Sequence, residues 1–99
     1  MSRAEFDKIA TAIADSGYLV SGSGYEAAIF GSWWIAIDSG AARFRVVWDG
    51  RDHSLLLQQE RAQNCPSEPE WLDIWVESLV EHQTSSGLLA QLAKFAAQT

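Results

Sequence analysis

The chain is poor in the residues that would staple, kink or anchor it. It holds one cysteine and two prolines among 99 residues. No apolar run approaches the roughly 20 residues of a membrane helix. A lone cysteine excludes an internal disulfide and points to a reducing compartment. Cys65, just before Pro66, has nothing near it in sequence to lower its pKa and reads as an inert thiol. Bases are scarce as well: 7 Lys+Arg stand against 13 Asp+Glu, a net charge of −6. That balance argues against nucleic acid, which needs a clustered basic face. Met1-Ser2-Arg3, followed by Glu5, Asp7 and Lys8, is too charged for a signal peptide. What is present is ordinary globular material, 47% apolar and 20% charged, with five tryptophans. The expectation is one α+β domain over residues 1–99, soluble and cytoplasmic.

Hydrophobic periodicity sets the element order. Ser2 and Glu5 form a capping box. Phe6, Ile9, Ala10 and Ile13 follow at helical spacing, and Gly17 is the expected stop. Ser21-Gly22-Ser23-Gly24 reads as a turn or flexible loop, and no Gly-Lys-Ser/Thr follows to make it a phosphate cradle. The period then switches to two. Trp33, Ile35 and Ile37 alternate with Trp34, Ala36 and Asp38, and Phe44, Val46 and Trp48 alternate with Arg43, Arg45 and Val47. Leu55 and Leu57 continue the pattern. Two-residue turns at Ser39-Gly40 and Gly50-Arg51 would pair Ile35 with Phe44, Trp33 with Val46, Val46 with Leu55 and Trp48 with His53. All apolar partners then share one face. Tyr25–Phe30 is a candidate fourth strand at the edge. Ser67 and Glu70 suggest a second capping box, opening a helix with Trp71, Leu72, Trp75, Leu79 and His82 on one side. Ser85-Ser86-Gly87 ends it, and Leu88, Leu89, Leu92, Phe95 and Ala96 form a last helix. The expected fold is therefore an antiparallel β-meander of three to four strands with an N-terminal helix and two C-terminal helices.

Two features are candidates for binding. Trp34, Arg43, Arg45, Val47, Leu56 and Gln58 share the sheet face turned away from the core, and the expected register sets Trp34 opposite Arg45. Such a pair either shields a wet sheet or forms part of an interface, where Trp and Arg are enriched. The second feature is acidic. Glu70, Asp73, Glu77 and Glu81 fall at i, i+3, i+7 and i+11, one ridge on the expected helix, and between Pro66 and Gln83 there is no Lys or Arg. A ridge of one sign is either a solvated face or a surface that steers a basic partner.

Catalytic and metal-binding patterns are thin. Asp49, Asp52 and His53 lie close together, but a hairpin uses aspartates for turn geometry anyway. His53 and His82 have no Cys or His at ligand spacing, so no metal site is expected, and no cofactor. The expectation is a protein that is not an enzyme. A small-ligand or enzymatic role would need a pocket between sheet and helices, near His53 and Asp52.

Gly31-Ser32-Trp33-Trp34-Ile35-Ala36-Ile37-Asp38, then Arg43-Phe44-Arg45-Val46-Val47-Trp48-Asp49-Gly50-Arg51, with Trp71 and Trp75 downstream, resembles small bacterial α+β proteins, some of them immunity proteins of polymorphic toxin systems. The resemblance covers about the middle half of the chain and rests on tryptophan and hairpin pattern. It implies a cytoplasmic protein that binds and blocks a toxin, often a basic one, through an acidic or aromatic surface and without a cofactor. The second expectation within binding is a secretion-chaperone-like or adaptor homodimer.

Overall fold

The computed structural model describes residues 3–61, 70–78 and 87–97. Helix α1 (Arg3–Asp15) buries Phe6 and Ile13, with Ile9 and Ala10 packed beside them on the expected stripe. Gly17 ends it at φ 95°, a left-handed conformation open to glycine without steric cost. Five strands follow: β1 (Leu19–Glu26), β2 (Ser32–Asp38), β3 (Arg43–Asp49), β4 (Ser54–Arg61) and β5 (Glu70–Ser78). They form one antiparallel sheet in the order β1-β2-β3-β4-β5. Helix α2 (Leu88–Ala97) closes the described chain.

The α+β class, the meander and the two terminal helices agree with the sequence reading, while the strand count rises to five. Ser21–Gly24, expected as a loop, lies inside β1, and the edge strand occupies Leu19–Glu26 rather than Tyr25–Phe30. Two glycines are tolerated there because the Trp34 ring fills the space their missing side chains leave. Residues 70–78, expected as helix, form β5 on the free edge of β4. No described helix precedes α2 in the C-terminal part. Ser2, Cys65, Ser67, Leu79, Glu81 and His82, named in the sequence reading, lie outside the described residues.

The face assignment of β2, β3 and β4 holds, but the register is displaced by two residues. Ile35 pairs with Val46, Ile37 with Phe44 and Trp33 with Trp48; Val46 pairs with Leu57 and Trp48 with Leu55. The cause is local, because both hairpins carry four-residue loops. The Asp38 carboxylate accepts from the Gly40 N–H at 2.8 Å, and the Ser39 and Ala42 backbones close the loop at 3.0 Å. In the next loop the Asp49 carboxylate accepts from the Arg51 and Asp52 N–H groups, and His53 turns the chain at φ 52°. These are the aspartate-led turns that compete with two-residue hairpins. A displacement of two leaves every side chain on its own face.

One side of the sheet is the core. Trp33, Ile35, Ile37, Phe44, Val46, Trp48, Leu55 and Leu57 are buried together with Phe6 and Ile13 of α1 and Leu88 and Leu92 of α2. Both helices therefore cover the same face. Each fully buried aliphatic or aromatic side chain contributes about 1.5–3 kcal/mol of transfer free energy. Gly50 supports this layer from the end: a Cβ there would collide with the Phe30 carbonyl oxygen, and its N–H donates to Ser32 Oγ at 3.0 Å.

Candidate binding groove on the open sheet face

No described helix covers the other face, so its composition decides what the molecule presents. Strand pairing arranges it in rows across the sheet. One row is apolar and runs Trp34, Val47, Leu56, Val76. Trp34 is 38% exposed and Val76 53%. The next row runs Ala36, Arg45, Gln58, Asp73. Arg45 Nε donates to Gln58 Oε1 at 2.8 Å, and Gln58 Nε2 donates to Asp73 Oδ1 at 2.7 Å. The Gln58 amide therefore joins a guanidinium to a carboxylate across three strands. Beyond it, Arg43 Nη1 lies 3.2 Å from Glu60 Oε2, a charge contact without the directionality of a hydrogen bond.

Each aromatic side chain has its own support. The Trp34 ring lies on the backbone of β1: a Cβ on Gly24 would sit 2.6 Å from its Nε1, and one on Gly22 would sit 3.4 Å from the six-membered ring. Trp71, which pairs in register with Glu60, places its ring 4.6 Å from the Arg45 guanidinium carbon. The expected Trp34–Arg45 pair is thus replaced by Trp71–Arg45, since the two-residue displacement puts Val47 opposite Trp34. Between the two tryptophans lies a groove of about 300 Å³, floored by Ala36 and Arg45 and bordered by Ser21, Gly22 and Arg43. Burial lowers the Arg45 pKa from its ordinary value, and the charge of Asp73 offsets part of that effect.

The structure therefore gathers Trp34, Arg43 and Arg45 on one face, as the sequence pattern predicts, and adds Trp71 and Asp73. Among the described residues it does not assemble the acidic ridge. On a strand, residues three and four apart do not stack as they do on a helix. Asp73 joins the Arg45 row, Glu70 stands 3.9 Å from Arg61 at the strand end, and Glu77 is paired with Leu55 of the core row. Glu81 lies outside the described residues. The helical reading of its segment keeps Trp71 away from Arg45, and only the pairing of β5 with β4 brings the two together. His53, expected opposite Trp48 within a strand pair, is an exposed turn residue whose ring stacks on Trp48 at 6.0 Å. A second hollow, of about 410 Å³, is the wet side of α1 between Asp7 and Asp15 and has no aromatic lining.

What the open face supplies is contact surface: two indoles held flat, an apolar row and a guanidinium fixed by its neighbours. No helix among the described residues is long and apolar enough to cross a membrane. Comparison of the chain with protein-family models, with curated proteins and with solved structures gives no match.

Proposed function

We propose that the chain is a non-enzymatic protein-binding module that engages its partner through the open sheet face, and that it serves as an immunity protein neutralising a toxin. The observation that carries the binding part is the exposure of Trp34 beside Arg45 and Trp71 on a sheet face that no described helix covers. Tryptophan and arginine dominate interface hot spots, and here each is held in place before a partner arrives, which lowers the entropy cost of association. The immunity part is supported by the pattern resemblance of the Trp33–Arg51 region and by the net charge of −6, which favours encounter with a basic partner over long range. The acidic ridge no longer contributes to this reading, because residues 70–78 form a strand on which Asp73 joins the open row while Glu77 pairs with Leu55 of the core row.

Affinity capture from the native host tests the proposal, run in parallel with the wild-type chain, a Trp34→Ala/Arg45→Gln variant and a Lys8→Ala control on the wet side of α1. Far-UV circular dichroism establishes that all three are folded. The expected result is a basic protein held by wild type and control and lost from the open-face variant, with growth arrested by that protein alone and restored on co-expression. A partner retained by all three chains would remove the open face from the function. A wild-type dimer dissociated by Trp34→Ala would replace the immunity reading with the adaptor one.

A further inference from the structure

Among the described residues, no acceptor takes up the full hydrogen-bonding capacity of the guanidinium at the floor of the groove. Arg45 presents five N–H donors; Nε is taken by Gln58, and among the described residues the Nη groups have no acceptor. Unlike Arg43, whose Nη1 faces Glu60, Arg45 is linked to Asp73 through the Gln58 amide. Its plane is held by that hydrogen bond on one edge and by the Trp71 ring at 4.6 Å on one face. The edge that no described residue occupies is the Nη pair, the fork that matches a carboxylate or phosphate with two parallel bonds.

We propose that the groove between Trp34 and Trp71 is a binding site for a carboxylate carried on a flat apolar body. The Arg45 Nη pair would grip the carboxylate, and the apolar body would lie against the indole of Trp34, which itself covers the Gly22 and Gly24 backbone. Local charge selects the ligand class. Asp38 lies opposite Arg43 in register, so Asp38, Glu60 and Asp73 stand against Arg43 and Arg45, and a phosphate dianion would meet their fields with twice the charge of a carboxylate. The volume of about 300 Å³ suits one ring and its acid group rather than a large cofactor. This inference rests on reading the open face as a binding surface and deepens it by naming the chemistry recognised there. The carboxylate has two sources, an acidic partner side chain flanked by an apolar one or a free aromatic acid.

The test uses the ¹⁵N-labelled chain and follows the indole N–H signals of Trp34 and Trp71, assigned with Trp34→Phe and Trp71→Phe, together with the Arg45 Nε–H. Benzoate is the probe, with benzamide, acetate and inorganic phosphate as comparisons. Saturable shifts with benzoate are expected, with affinity about tenfold or more weaker for benzamide, and for benzoate with Arg45→Gln, because a charged two-bond contact is lost. Arg45→Lys, which keeps the charge without the fork, is expected to bind benzoate more weakly as well. Absence of saturable shifts, benzoate binding unchanged in Arg45→Gln, or phosphate bound as tightly as benzoate would overturn the proposal. Benzoate that displaces the captured partner supports the side-chain source; benzoate bound without displacing it supports the free acid. A partner captured by a chain that ignores benzoate sinks the carboxylate site alone, while benzoate binding without any partner leaves the site standing and sinks the protein-binding reading.

Discussion

The two faces of the sheet are built from the same strands, yet they obey different physics. On the helix side, Trp33, Ile35, Ile37, Phe44, Val46, Trp48, Leu55 and Leu57 lose essentially all contact with water. Their contribution comes from area removed from solvent and from close packing. On the open side, Arg45, Gln58 and Asp73 are joined by directed hydrogen bonds, and Trp34 keeps more than a third of its surface in water. The first face sets stability and the second is available for recognition. A residue and its immediate neighbour along β2 or β3 therefore differ more in consequence than two residues far apart on the same face.

That contrast can be broken or sharpened by substitution. Phe44→Ala on the helix side should cost about 3–5 kcal/mol in urea denaturation, enough to unfold much of a marginally stable domain. A loss below about 1 kcal/mol would mean that the core is not packed as described. Gly50→Ala should follow, at more than about 1 kcal/mol, because the added methyl meets the backbone carbonyl of Phe30 and the loops at that end must separate. Gly24→Ala should cost about 1 kcal/mol, since the Trp34 ring can swing away from the new methyl. Its clearer signature is a red shift of Trp34 emission and greater quenching by acrylamide. The smallest effect belongs to Asp73→Asn, about 0.5 kcal/mol or less, because the group is exposed and bonds a neutral amide. If Asp73→Asn destabilised the fold as much as Phe44→Ala does, the separation of roles between the faces would fail.

Legibility followed the range of the interaction that decides each feature. The face of every residue in β2, β3 and β4 was readable because alternation is a property of the strand itself. The register was not, since loop length depends on whether Asp38 and Asp49 fold their carboxylates back onto the following N–H groups. β5 was misread for a sharper reason. Leu57 and Gln58 are consecutive in β4 but pair with Trp75 and Asp73, so Ile74 is an extra residue, a β-bulge that breaks strict alternation. With the bulge, Trp71, Leu72, Ile74 and Trp75 fall at a spacing indistinguishable from a helical stripe. Ile74 and Trp75 both pack against the core, which an unbulged strand would not allow for neighbours. The candidate site was half legible: Trp34, Arg43 and Arg45 follow from alternation, while Trp71 and Asp73 join them only through β5.

The sequence by itself determined which side chains are apolar, their period in each segment and hence the α+β class, the two terminal helices and the assignment of faces. Those are local properties, set by backbone geometry and the aversion of apolar surface to water. Tertiary structure alone decided that residues 70–78 would extend the sheet, because a strand on that edge depends on the partner that β4 offers. That single pairing separates Asp73 from Glu77 and brings Trp71 over Arg45, so that Trp34 on one side and Trp71 on the other wall the groove.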